Sequence, residues 1–211
     1  MYSEFLVGIS KTLLLFSMSY FPGFLIGAFI AIVTFFYAKV RSIFFVVSVF
    51  FSIVPLLAVL FWFHYPLQTT LGVVWSPLVT SIIVLSIYVI FNVVVILNDT
   101  FDTVHKKYNE TVKVLGLSIN HYILKVLGPI SLFLAAPRLL TLAIVTIHAT
   151  MFSSLIGVDE LFRVTQRLNA EYLKPVELYS FMALGYLIIC LPLYFIGRYI
   201  SKIFSNSFEN A

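Results

Sequence analysis

Charge is scarce in this chain. Only 10% of its 211 residues are Asp, Glu, Lys or Arg, whereas a soluble domain carries about a quarter. Acids are the scarcer sign, 9 against 13 bases, and none occurs from Phe5 to Leu97. That gap argues against a membrane-embedded enzyme built on paired carboxylates. Cysteine occurs once, at Cys190 within an apolar run. A disulfide framework is thereby excluded, and a thiol lodged in a helix is expected. No G-x-x-x-x-G-K-[ST] run occurs, so the chain has no P-loop for ATP. The four histidines, His64, His105, His121 and His148, show no metal-ligand spacing. Repeats, low-complexity tracts and linkers are also missing, so residues 1–211 read as one transmembrane domain.

What the chain has is apolar surface: 61% hydrophobic residues and a mean hydropathy of +1.06. A helix needs about 20 apolar residues to cross a bilayer. Five stretches qualify: Thr12–Ala38, Ile43–Phe63, Trp75–Leu97, Val126–Gly157 and Val176–Ile196. The first is too long for a secretory signal and is expected to be a retained span, with a bend at Pro22-Gly23. The net charge of +4 with a pI near 9.1 does not point to nucleic acid. Its basic residues cluster after the odd spans, at Lys39, Arg41, Lys106, Lys107, Lys113, Lys125, Arg198 and Lys202. The loop after span two has none, and the loop after span four balances three bases with three acids. By the positive-inside rule the N-terminus is outside and the C-terminus inside. The expectation is an all-α polytopic protein with five transmembrane helices.

One segment, 99–125, is polar where its flanks are not. On a helix, Lys106, Asn109, Glu110 and Lys113 share a face, and Val112, Leu115 and Ile119 form another. Gly116 interrupts the pattern, suited to a left-handed helix end, and Ser118 can cap a following helix. Two short helices with a sharp turn are expected between spans three and four. Physically they could lie on lipid headgroups or dock a soluble partner.

The spacing also resembles a known pattern. Glu110, Gly116, Val126 and Pro129 fall at the fixed positions of the EAA loop of ABC-importer permeases, with Thr111-Val112 in place of the two alanines and Gly128 in place of a leucine. "TMFSSLIGVDELFRVTQ" (150–166) is similar to the T-S-L-x-S-x-I-G-V-x-E-L segment of the polar amino-acid permeases. "IVPLL" around Pro55, "AAPRLL" at Pro137 and "GISKTLLL" near the start resemble further stretches of that family. The chain is identified as a member of this type I, MetI-like permease family.

The resemblance implies a permease subunit of an ATP-driven importer for polar amino acids, working by alternating access in a prokaryotic inner membrane. It implies ATPase partners carrying ATP and Mg, a second permease copy or paralogue, and a periplasmic or surface substrate-binding protein. Lys106, Glu110, Gly116 and Pro129 would form the ATPase-coupling segment. The alternative is a membrane-embedded assembly factor or enzyme without transport activity. Several charges of the family pattern are absent: Asn92, Val95 and Asn98 replace polar positions of span three, Ser52 an arginine, and His148-Ala149 a Lys-Asp pair. Ionisable groups inside a bilayer are costly and usually face protein or water. Arg138 and His148, ten positions apart, share roughly one helical face with Thr141 nearby. Either they line the substrate pathway, or Arg138 snorkels or pairs and His148 binds a neighbouring helix. Asn92, Ser153 and Ser154 are further pathway candidates, with interhelical hydrogen bonding as the alternative. Asp159-Glu160 is expected to start an amphipathic outer helix.

Overall fold

A computed structural model describes residues 2–114, 116 and 118–208. The predicted Leu115 lies outside the described residues, as do the side chains of Ser52, Lys113, Ile119 and Asn120. The described chain is helical, in the order α1 (Tyr2–Phe36), α2 (Ala38–Ile53), α3 (Leu56–Trp62), a π turn (Phe63–Leu67), α4 (Gln68–Leu71) and α5 (Pro77–Val114). There follow α6 (Ile119–Tyr122), a second π turn (Ile123–Leu127), α7 (Gly128–Ala149), a 3₁₀ segment (Thr150–Ile156), α8 (Leu161–Tyr172) and α9 (Pro175–Phe208).

Among the described residues four stretches are long and apolar enough to span a membrane: Ser3–Phe36, Pro77–Val112, Ile123–Ile156 and Pro175–Ile203. The second expected span is broken. Its two halves, α2 and α3–α4, meet at 94°, because Pro55 cannot donate a backbone bond and holds Val54 extended at φ −74°, ψ 126°. Counted as one, this pair makes a fifth span.

The expected bend at Pro22-Gly23 did not end the helix, since α1 runs unbroken through Pro22. Gly23 also serves packing. A Cβ there would lie 2.9 Å from Val89 Cβ, and one at Gly27 2.9 Å from Val93 Cβ and 3.1 Å from the Ile90 carbonyl. Together with buried Ser19 and Ala31, these glycines make a small-residue stripe at four-residue spacing, which lets two helix backbones approach closely. Hydrogen bonds lock the contact: Ser86 Oγ donates to the Ser19 carbonyl at 3.2 Å, and Tyr20 Oη to the Leu139 carbonyl of α7 at 2.7 Å. The main core therefore lies among α1, α5 and α7, around Val89, Val93, Leu97, Ala135 and Leu142. A second core joins the start of α1 to α8 and α9 around Leu161, Leu168 and Leu178.

α5 corrects the expectation of two short helices. Nothing between Leu78 and Val114 is Gly or Pro, so the polar residues after Asn98 simply prolong the spanning helix. The 38-residue rod is about 57 Å long at 1.5 Å per residue, against about 30 Å of hydrocarbon. Gly116 follows the far end of this rod, and the segment bearing Gly157 and Glu160 lies at the opposite, Pro77 end.

Candidate functional site

Beyond the far end of α5 the chain turns at Gly116, whose φ of +61° is the left-handed conformation expected of it. A Cβ on Gly116 would meet nothing within 4 Å, so backbone shape, not crowding, calls for glycine. Ser118 then opens α6, with its carbonyl accepting from Tyr122 N at 2.9 Å and a long 3.5 Å contact from His121 N to its Oγ. α6 is tied back to the rod: Tyr122 is buried, and its hydroxyl lies 2.9 Å from His105 Nδ1. Phe35 packs edge-on against both Phe101 and His105. Gly128 sits where the π turn meets α7, and a Cβ there would strike the Ile123 carbonyl at 2.8 Å. This explains glycine where the permease pattern has leucine. Pro129 follows in the first turn of α7, directly after the π turn.

On α5 the residues Val95, Asp99, Thr103, Lys106 and Glu110 are exposed at four- and three-residue spacing, which is one face of a helix. Lys106 and Glu110 thus continue a stripe that begins inside the spanning part. Val112 and Tyr108 turn the other way and pack on the core.

Sequence reasoning passed over two acids on this rod. Asp102 takes a two-pronged bond from Arg41 of α2, Nη1 to Oδ1 at 3.0 Å and Nη2 to Oδ2 at 2.5 Å. Asp99 takes Arg138 Nη2 of α7 at 2.9 Å. The pairs link α2 and α7 to α5 at the edge of its apolar run. The signal was present, since Arg41 and Asp99 bound a stretch, 42–98, with no charged residue. What a single sequence cannot give is which base reaches which acid.

The structure separates the pathway candidates. Arg138 is paired, with about half of both its own and Asp99's side chain still exposed. Thr141 is exposed, bonds to the Pro137 carbonyl at 3.0 Å, and lines a groove between α7 and α9 with Ile144, Tyr194 and Arg198. His148 is exposed further along α7, in an adjoining groove with Tyr186 and Cys190. Its Nε2 lies 3.6 Å from Cys190 Sγ, and its ring meets Tyr186 edge-on. Arg138 turns towards α5 and His148 towards α9. Asn92 is half-buried, bonds to the Tyr88 carbonyl of its own helix, and borders a cleft with Phe51 and Tyr88. Ser153 and Ser154 are buried, so they pack inside the chain and line no groove in this conformation. Ser154 Oγ donates to the Met151 carbonyl, and its own carbonyl accepts from Arg163 Nη1 at 2.6 Å.

At the other end, Glu160 does more than start the outer helix. It is fully buried and caps α8, Oε2 accepting from Phe162 N and Oε1 from Arg163 N, both at 2.9 Å. Tyr186 Oη of α9 donates to Oε2 at 3.1 Å. Thr12 Oγ1 of α1 accepts from Leu161 N at 3.1 Å. Burial raises the Glu160 pKa above the ordinary glutamate value, with the two backbone N–H bonds opposing it. One carboxylate thereby joins α8 to α9, beside a bond from α1. The amphipathic pattern predicted α8; nothing in it announced that the cap would be buried.

Residues 23–208 match the family described as the binding-protein-dependent transport system inner membrane component. The glutamine transport system permease protein GlnP of Escherichia coli (strain K12) is 36% identical over 100 residues, 47% of this chain and 46% of that protein. The corresponding protein of Shigella flexneri gives the same figures. The chain thus spans about half the length of the curated relatives it matches. The fold is shared with a chain of an amino acid ABC transporter crystallised with histidines, at a TM-score of 0.83 and 21% identity, covering 95% of this chain and 94% of that one. It is shared also with a chain of the inward-facing MetNI methionine ABC transporter, at 0.78 and 16%, covering 96% and 97%. A family match over most of the length, on apolar helices closed by a left-handed glycine turn, has one reading: this multi-pass membrane chain belongs to the inner membrane components of binding-protein-dependent transport systems.

Proposed function

We propose that this chain is the permease subunit of an ATP-driven importer of polar amino acids, working by alternating access. The observation that carries the coupling is the exposed stripe on α5, which runs from Asp99 through Lys106 and Glu110 to the left-handed turn at Gly116. A rod of this length, exposed at its polar end, suits docking on a partner better than lying along headgroups. The substrates for which the relatives are named, glutamine and amino acids, support the substrate class.

On this reading the partners are ATPase subunits carrying ATP and Mg, a second permease copy or paralogue, and a periplasmic or surface binding protein. The N-terminus is outside and the coupling end in the cytoplasm, in the inner membrane of a prokaryote. Glu110 makes a polar contact with the ATPase, with Lys106 beside it on the same stripe. Gly116 permits the turn, and Pro129 starts the return helix. Thr141, His148 and the Arg138–Asp99 pair border the substrate pathway. Asn92 is placed less directly, and Ser153 and Ser154 support the wall from behind.

The test is transport-coupled ATPase activity in proteoliposomes, after confirming that an ATPase co-purifies with the chain. Glu110→Lys and Gly116→Val should each abolish coupled turnover while membrane insertion stays intact. Valine at φ +61° is strained by about 1–2 kcal/mol or more, enough to displace the turn. Full coupled turnover in both variants refutes the assignment.

A further inference from the structure

A pocket between α1, α2 and α5 at the coupling end lies apart from the α7–α9 grooves. Thr34, Arg41, Asn98 and Asp99 contribute its polar wall, and Phe44 and Val95 part of its apolar wall. Asn98 is 6% exposed, and its amide orientation follows from its partner. The Thr34 hydroxyl has one proton, committed to the carbonyls of Ile30 and Ala31 at 2.9 and 3.0 Å. Its oxygen must therefore accept from Asn98 Nδ2, at 2.8 Å. That leaves Asn98 Oδ1 on the other side, where it accepts no hydrogen bond from any described residue. A buried acceptor without a donor is uncommon in native proteins.

The charges that line the same pocket carry both signs. Asp99 gives one oxygen to Arg138 and keeps a second. Arg41 spends Nη1 and Nη2 on Asp102, and its guanidinium has further N–H donors. Arg41 and Asp99 also bound the charge-free stretch 42–98, so the pocket sits where the apolar layer ends. It asks for a compact donor-rich cation with an anion close by.

We propose that this pocket binds a small zwitterionic group, its ammonium on Asn98 Oδ1 and Asp99 and its phosphate or carboxylate on Arg41. Two sources supply that chemistry: the headgroup of phosphatidylethanolamine, whose acyl chain would run along Phe44 and Val95, and a free amino acid.

The experiment uses the full-length chain, with whatever subunits co-purify, in nanodiscs of phosphatidylcholine and phosphatidylglycerol. In one arm phosphatidylethanolamine replaces part of the phosphatidylcholine, and native mass spectrometry reads the lipid retained. In the other, radiolabelled L-glutamine is added to ethanolamine-free discs. Preferential retention of phosphatidylethanolamine identifies the lipid source, and saturable glutamine binding the amino acid. In either case Asn98→Leu and Arg41→Gln should weaken retention about tenfold, the scale of one hydrogen bond to a charged group. Asn98→Asp, which keeps the size and adds charge, should hold the ammonium at least as well as the native residue. It serves as the deciding variant if Asn98→Leu does not elute as a folded protein. Retention of neither probe, retention indifferent to Asn98→Leu and Arg41→Gln, or loss in Asn98→Asp overturns the proposal. The lipid arm reads neither nucleotide nor transport and stands independently of the importer assignment, whereas the glutamine arm rests on that assignment.

Discussion

Replacing Glu160 with alanine should loosen α8 from the rest of the protein, and the size of the effect can be worked out. The side chain accepts from two backbone N–H groups and from Tyr186 Oη, all within 3.1 Å, while fully buried. Loss of a helix N-cap costs about 1 kcal/mol, and a buried tyrosine hydroxyl left without its partner about 1–3 kcal/mol. A total near 3 kcal/mol is roughly a hundredfold in the opening equilibrium. Hydrogen exchange of the Phe162–Leu168 amides, read by mass spectrometry in detergent or nanodiscs, should therefore quicken about a hundredfold in Glu160→Ala. Tyr186→Phe should do less alone and add little to Glu160→Ala, because both remove the same bond. The wild type should also respond to pH. The Glu160 pKa is raised, so the stability it contributes is fully present below the unfolded glutamate value of about 4.3 and is lost as pH rises through the folded value. Opening of α8 should thus become easier as pH climbs from acid towards neutral, and Glu160→Gln should flatten that dependence. Unchanged exchange in Glu160→Ala, or full additivity with Tyr186→Phe, would refute the argument that this carboxylate holds α8.

Gly27→Leu should lower the thermal midpoint sharply. Even the first added carbon meets Val93 Cβ at 2.9 Å, and overpacking of this kind costs about 1–3 kcal/mol or more. Gly72→Ala, at φ +64° in open space, should cost only the local strain, so a smaller drop for Gly27→Leu than for Gly72→Ala would contradict the close α1–α5 packing. The Asp99–Arg138 pair can be tested by reversal. Asp99→Arg and Arg138→Asp should each reduce membrane-inserted yield, since an unpaired charge in a spanning helix costs about 2.5–3.5 kcal/mol on insertion scales. The double variant should recover it, and a double no better than the worse single would mean that the two residues do not pair.

Much of this architecture could be read from residue order, and the parts that could not share one physical cause. Apolar runs locate spans because each helix meets lipid or protein along its own length. Gly116 and Ser118 were legible because turn and cap chemistry is local, and α8 because its amphipathic period is. Contacts between helices depend on axial rotation and depth, which no single helix specifies. Arg41 therefore reads as one more basic residue after span one, and Glu160 as an ordinary surface acid. The α5 rod is a different kind of miss. A polar segment after an apolar one looks like a new element, yet helices end at breakers, and from Leu78 to Val114 this one has none.

The unbroken rod also determines how the parts can act on one another. Glu110 and Asp99 are eleven residues apart on one face, about 16 Å along a single helix, with no Gly or Pro between them. A helix of that kind transmits displacement, because its backbone bonds leave no soft joint between the two positions. Any shift at Glu110 must therefore be taken up where α5 meets its neighbours. Those places are the core that α5 shares with α1 and α7, the Gly23–Gly27 stripe of α1, and the Arg41–Asp102 and Arg138–Asp99 pairs. The stripe is packed too tightly to slide without cost, with backbone oxygens within about 3 Å of where a Cβ would be. The ion pairs are only partly buried, and their long side chains can swing where packed backbones cannot slide. Movement of α5 should then carry α1 and, through the shared core, α7 with it and shear against α2, which places the compliant joint of this chain at Arg41.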